Sequence, residues 1–313
     1  MMMTNKFAAI ATAAIAAGAD QTVAKTGGGG DYTPPAAGPC RLRFIAYVEL
    51  GKQAGTFQGK PTIKDKVLLT FEVSGPKHPP TVSEDGTKTP IRISIEESLS
   101  LNEKANFFKL FQRMNYTGKA KHMTELLGEA YLGTIYHRTY KRADGTDGVA
   151  VELRPKGDTY SIRPPRFEDP ETGELRVVEV APPVSAMRCF VWSHPEIPLE
   201  AGTPLDQWNS LFIEGEYPER KDEKTGAVIR KAKSKNVYQN KVKLAKNFAG
   251  SPIFLLLTNN GQSLDIPDAE SGTDPDAGPA DDEDATLAIP SQQPAKAAPT
   301  GAAATDALNG IVA

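Results

Sequence analysis

Apolar and polar residues alternate along Arg41-Leu-Arg-Phe-Ile-Ala-Tyr-Val-Glu-Leu, and again along Lys66-Val-Leu-Leu-Thr-Phe-Glu-Val. A period of two is that of a strand. Gly51, Gly55, Gly59 and Pro61 lie between the two runs, so the stretch from Arg41 to Val73 predicts two strands joined by a glycine-rich turn. Strict alternation assigns Leu42, Phe44, Ala46 and Val48 to a core-facing side. Arg41, Arg43, Ile45, Tyr47 and Glu49 take the other. That second face sets cations beside an aromatic ring. It reads either as the solvated side of an ordinary hairpin or as a surface that stacks bases and tracks phosphates.

The pattern continues in the same manner. Ile91-Arg-Ile-Ser-Ile-Glu alternates and predicts a third strand. Ser100 followed by Glu103 has the spacing of a capping box, and Phe107, Phe108, Leu110, Phe111 and Met114 recur at helical intervals, so a helix is expected over Leu101 to Met114. A short second helix is expected from His122 to Leu127. Strands resume from Ala130 to Tyr140 and from Val149 to Leu153, around a turn carrying Asp144-Gly145 and Asp147-Gly148. Three strands, a helical segment and two strands is the element order of an OB-fold, a five-stranded Greek-key barrel with its helix between strands three and four. The expected class is therefore mainly β, an OB-like barrel with helical and extended C-terminal additions.

Beyond the expected barrel, Tyr160 to Leu199 is proline-rich and predicts an extended wrap, with one strand over Met187 to Trp192. Thr203 and Pro204 predict a helix start, with Trp208, Leu211 and Phe212 as its buried face. Asp222 to Gly226 reads as a hairpin tip. Val237 to Phe248 reads as a basic amphipathic helix, and Ile253 to Leu257 as a buried strand or terminal core segment.

Composition changes the picture at the ends. Gly (27) and Pro (25) are abundant and hydrophobic residues make up 39%, which suits an ordered body with disordered ends. The net charge of -3 hides an asymmetry. From Asn259 onward there are ten acids and Lys296, giving -9; the first 258 residues hold 35 bases and 29 acids, giving +6. The expected organisation is a flexible Ala/Gly-rich segment over 1–39, a body over 40–258 and an acidic disordered tail over 259–313. Opposite signs in one chain point toward nucleic acid at one end and an interaction tail at the other; a solubilising tail on a basic globule is the plainer alternative. Phe7 to Ala19 has the look of an export signal, but it is mostly alanine, broken by threonine, with a single preceding lysine. The expected location is a cytoplasm. No run of about 18 apolar residues occurs, so no membrane span is expected.

The most basic stretch, Tyr217 to Phe248, holds Arg220, Lys221, Lys224, Arg230, Lys231, Lys233, Lys235, Lys241, Lys243 and Lys246, interleaved with Tyr238 and Phe248. Cations with aromatics between them suit a phosphate-tracking surface, and equally a solvated lysine-rich helix. Catalytic patterns are missing from the sequence. It has no Gly-x-x-x-x-Gly-Lys-Ser/Thr loop and no Gly-x-Ser-x-Gly elbow. His78, His122, His137 and His194 are scattered, and Cys40 and Cys189 are the only cysteines. Two distant thiols allow one disulfide but no zinc site. No catalytic residue, metal or cofactor is expected.

Several phrases carry a family likeness: Arg41-Leu-Arg-Phe-Ile-Ala-Tyr-Val-Glu-Leu-Gly, Leu68-Leu-Thr-Phe-Glu-Val, the helix Leu101 to Met114, and Leu126-Leu-Gly-Glu-Ala-Tyr-Leu-Gly-Thr. Together with the acidic tail, they make the chain resemble single-stranded-DNA-binding proteins of tailed bacteriophages, over roughly Arg41 to Leu257 plus the tail. The resemblance implies an OB-fold body that binds single-stranded DNA without catalysis in the host cytoplasm. It also implies a tail that recruits replication and recombination proteins, and leaves room for a homo-oligomer. One departure is plain: Asp281 to Asp284 lies well before the end, and Leu308-Asn-Gly-Ile-Val-Ala closes the chain. Tyr47, Phe57, Tyr136, Tyr140 and Tyr238 are the expected aromatic contacts. Arg41, Arg43, Lys52, Lys60, Lys64, Arg138, Lys141, Arg142, Arg230, Lys231, Lys233, Lys235, Lys241 and Lys243 are the expected phosphate contacts. The competing reading is a virion or assembly-associated structural protein.

Overall fold

The first strand, β1, is twenty residues long (Gly38–Phe57) and pairs antiparallel with β2 (Lys60–Ser74) from Arg41↔Ser74 to Phe57↔Lys60. The structure, a computed structural model, describes residues 34–267 except 58, 83–85, 142–146, 156, 170, 200–201, 222–224, 227 and 263, with the backbone alone at 220, 229 and 230. From Pro35 onward these residues belong to one unit. The expected Ala/Gly-rich N-terminal segment up to residue 33 and most of the expected acidic tail lie outside the described residues.

A small ribbon of β3 (Thr81–Val82) and β4 (Lys88–Thr89) leads to β5 (Ile91–Ser98), which pairs antiparallel with β2. The helix α1 (Asn106–Met114) and a 3-10 turn (Met123–Leu126) follow. The chain then returns as β6 (Ala130–Lys141) beside β1 and turns into β7 (Asp147–Glu152). The sheet path is β5-β2-β1-β6-β7. Three consecutive antiparallel strands with the fourth laid beside the first make a Greek key. The two ends of the path, β5 and β7, approach one another. There Glu97 on β5 meets Arg154 at 3.5 Å and accepts a hydrogen bond from the Tyr160 hydroxyl.

β6 covers only Gly38 to Arg43 of β1. Past that point the same edge is taken by β10 (Arg188–Phe190), parallel, in register Ala46↔Arg188 to Val48↔Phe190. The proline-rich stretch before it contains a hairpin of β8 (Arg166–Glu168) and β9 (Leu175–Val177). After it come α2 (Asp206–Ser210), the paired strands β11 (Glu216–Tyr217) and β14 (Lys233–Ser234), and the paired strands β12 (Arg220–Lys221) and β13 (Val228–Arg230). The helices α3 (Val237–Lys243) and α4 (Pro252–Asn259) follow.

A bulge between Phe44 and Ala46 decides what each face of β1 does. An extra residue in one strand shifts every later side chain to the opposite side. Leu42, Phe44 and then Tyr47 therefore share one core with Leu69, Phe71, Leu110 and Met114. Val48 and Leu50 reach a second core, built with Phe190, Trp208, Leu211, Val242, Phe248, Ile253 and Leu257. Unbroken alternation, with Tyr47 on the outer face, is thus overturned. The outcome follows from Ile45, an apolar residue that fits either side and is buried.

Three further expectations change. The predicted capping box fails, because Ser100 Oγ accepts from Asn102 N and α1 begins at Asn106 without a side-chain cap. A capping box occurs instead at His122, where Glu125 reaches back to the His122 backbone. Ile253 to Leu257 is helical, not a strand, since Ser251 caps and Pro252 opens the first turn, burying Ile253 and Leu257 four residues apart. Phe212 is 55% exposed, whereas Trp208 and Leu211 are buried as expected. Past Asn259, Gln262 N donates to Leu257 O, and Leu264 packs on the second core. Cys40 and Cys189 are free thiols, not a disulfide.

Candidate nucleic-acid interface

The pairings line up residues across the outer face of the sheet. Arg188, Ala46, Thr70 and Ser94 are successive partners across β10, β1, β2 and β5. The next row toward the second core is Phe190, Val48, Leu68 and Glu96. Of this first row, here called the trough, Ala46 and Thr70 are buried, Arg188 is half-buried and Ser94 is exposed at the β5 end. Thr70 and Ser94 join hydroxyls at 3.0 Å on its floor. One side is closed by α3, where Lys241 pairs with Glu96. The other is closed by the extended chain at Val184 and Ser185, whose backbone N–H groups both donate to Glu72 at 2.8 Å.

Arginines flank the trough. The Arg188 guanidinium lies 5.6 Å from the ring centroid of Tyr238, a cation–π contact. Its Nε is buried without an acceptor among the described residues. Arg92 stands on β5 on the same face as Ser94, two residues away. Burial lowers the Arg188 pKa; Tyr238 opposes this, and the positive charge of Arg92 adds to it. Neither guanidinium meets a carboxylate among the described residues. Two cations with the exposed Ser94 hydroxyl between them can hold a phosphate, and the half-buried Tyr238 ring lies beside one of them.

The expected contacts divide into three groups. The first sits on the distal half of the β1–β2 hairpin. Lys52 pairs with Asp65 at 3.2 Å, both about half exposed, and Lys64 lies 5.4 Å from the Phe57 centroid. Lys60 is exposed at the turn. The base of this arm is fastened to the C-terminal part of the chain, as Gln53 donates to Lys241 O and Lys246 N to Lys52 O. Lys243 is half-buried, and burial lowers its pKa while Asp265 opposes the shift. The second group lies on β6 and β7, beyond the start of β1 and so at the opposite end of that strand. Arg138 pairs with Glu152, Lys141 with Asp147 at 2.8 Å, and the Tyr140 ring covers Gly148. Tyr136 is half-buried there, and Arg142 is outside the described residues. In the third group Lys235 lies 5.5 Å from the Tyr217 centroid, Lys231 is exposed and Lys233 half-buried. The side chain of Arg230 is not among those described.

Two expected contacts are corrected. Tyr47 is fully buried and donates to Glu49 Oε1 at 2.8 Å; burial and the neighbouring carboxylate push its pKa up. It cannot stack a base from the core, and the bulge is the reason. Arg43 spends each guanidinium nitrogen on a backbone carbonyl, those of Ala181, Gly128 and Val180. It fastens the crossing chain to the sheet. Arg41 stays half-buried on β1.

Comparison with known proteins finds no matching family model, curated protein or solved structure.

Arg92 and Arg188 were missed by sequence reasoning for different reasons. Arg92 stood in plain view on the polar side of Ile91-Arg-Ile-Ser-Ile-Glu and could have been found from the alternation. Arg188 follows a proline-rich run, and nothing local announces that its strand will lie beside Ala46.

Proposed function

We propose that this chain is a non-catalytic single-stranded-DNA-binding protein built on an OB-type barrel, serving DNA replication or recombination of a tailed bacteriophage. The fold supports the first part. A Greek-key path whose ends approach, with α1 between the third and fourth of its five main strands, is in keeping with that barrel. OB-folds bind oligonucleotides on the face of their second and third strands, which here are β2 and β5. The observation that carries the reading is the pair of arginines flanking that face, which form no ion pair among the described residues, one of them against Tyr238. The acidic residues after Asn259 would engage replication or recombination proteins.

The test is fluorescence anisotropy with a labelled 30-nucleotide single strand and the matching duplex. The single strand should bind more tightly, and binding should weaken steeply with salt through counterion release. Tyr238→Ala should cost about 1–3 kcal/mol, the typical value of one base stack, and Arg188→Ala should weaken binding as well. Absence of binding at low salt, or preference for the duplex, would sink the proposal.

A further inference from the structure

A cleft of about 640 Å3 opens where the start of β2, the end of β5, the N-terminal end of α1 and the chain after β7 converge. Its volume falls within the usual range for ligand sites, about 300–1,000 Å3. The charged side chains lining it are Lys64, Lys104, Lys109, Arg154, Asp65 and Asp158. The four bases outnumber the two carboxylates. Asp65 faces Lys52 across the hairpin, and Asp158 accepts from Thr159 N and Oγ1. Arg154 belongs to the Glu97–Tyr160 cluster. Lys104 and Lys109 form no ion pair among the described residues. The remaining lining is mostly hydroxyl and amide side chains, with no aromatic ring. Such a cleft attracts phosphate and offers no platform for a base.

Its place on the fold links it to the trough. From Arg92 to Ser98, β5 advances about 20 Å at roughly 3.3 Å per residue, and Ser98 lines the cleft. Glu96 is the one acid on the outward row between them, and Lys241 neutralises it. We infer that the cleft seats two backbone phosphates of a bound single strand, on Lys104 and Lys109, after the strand has crossed the Lys241–Glu96 pair that closes that side of the Arg92–Arg188 trough. This inference rests on the strand-binding reading and adds a contact that is blind to base identity.

The experiment measures the slope of log K against log salt for the 30-nucleotide strand between 50 and 500 mM. Each neutralised phosphate of a single strand contributes about 0.7 to that slope. Lys104→Ala/Lys109→Ala should therefore be shallower than wild type by about 1.4, and Lys104→Arg/Lys109→Arg should keep the wild-type slope. Lys119→Ala/Lys121→Ala removes the same charge from exposed positions past the other end of α1 and should change the slope by less than half as much. A wild-type slope in the cleft variant, or an equal loss in the control pair, overturns the inference while leaving strand binding intact. A wild-type protein that does not bind the strand at all overturns both.

Discussion

At Gly51 the backbone takes φ +69, and a Cβ built there would stand 2.5 Å from two Trp192 ring carbons and 2.9 Å from Asn247 Oδ1. A side chain is excluded twice, by conformation and by contact. Gly51→Ala should lower stability by about 2–4 kcal/mol, combining left-handed strain with overpacking. Urea unfolding checks the magnitude, and a shifted Trp192 emission in the folded state checks the cause. A glycine so placed looks in sequence like any turn glycine, since its indole neighbour arrives from far along the chain. Glu49 shows the same blindness. Alternation gave it to the solvent, yet it is buried, receiving the Tyr47 hydroxyl and the Trp192 backbone N–H. Buried carboxylates are legible only once their donors are placed, and here the donors come from both cores.

Among elements, those with strong internal periodicity were legible: the first hairpin, β5, the apolar stripe of α1, and the β6–β7 return. Placements defined by distant partners were not. β10 falls inside the strand expected over Met187 to Trp192, but its parallel seat on the free edge of β1 has no local signal, and Ile253-Phe-Leu-Leu-Leu, expected as a buried strand or terminal core segment, has no period to separate helix from strand. The candidate site shares this division. Its arm lysines and Tyr238 were visible as composition, but the trough required the register of β10. The packing of α3 against β5 yields a direct test. Lys241→Met removes the partner of Glu96, a pair with both side chains about a quarter exposed. Stability should fall by about 1 kcal/mol, in keeping with a partly solvated pair. Strand affinity should fall further than one lost phosphate contact explains, because an unpaired carboxylate would then stand in the strand's path. Adding Glu96→Gln should recover most of the affinity, and a double-mutant cycle by anisotropy measures the coupling.

For the molecule as a whole, the buried thiols set an alkaline limit. Burial pushes Cys40 up to about 12, from an ordinary value of 9.0, and Cys189 up to about 11. Above pH 9 the unfolded chain releases these protons while the folded chain keeps them, so stability falls as pH rises. The expected slope approaches about 1.4 kcal/mol per pH unit for each thiol, until the folded values are reached. Stability from urea unfolding at pH 8 to about 9.5, below the range where the buried tyrosines add to the slope, should decline along this line, and Cys40→Ala/Cys189→Ala should flatten it. The division of β1 between two neighbours also has a consequence during synthesis. The edge at Ala46 to Val48 is completed by a strand about 140 residues downstream, so at translation rates of roughly 5–20 residues per second it stays open for about 7–30 s. A ribosome stalled before Arg188 would hold a nascent chain with an unpaired apolar edge, the kind of surface that recruits chaperones or pairs with its neighbours on a polysome.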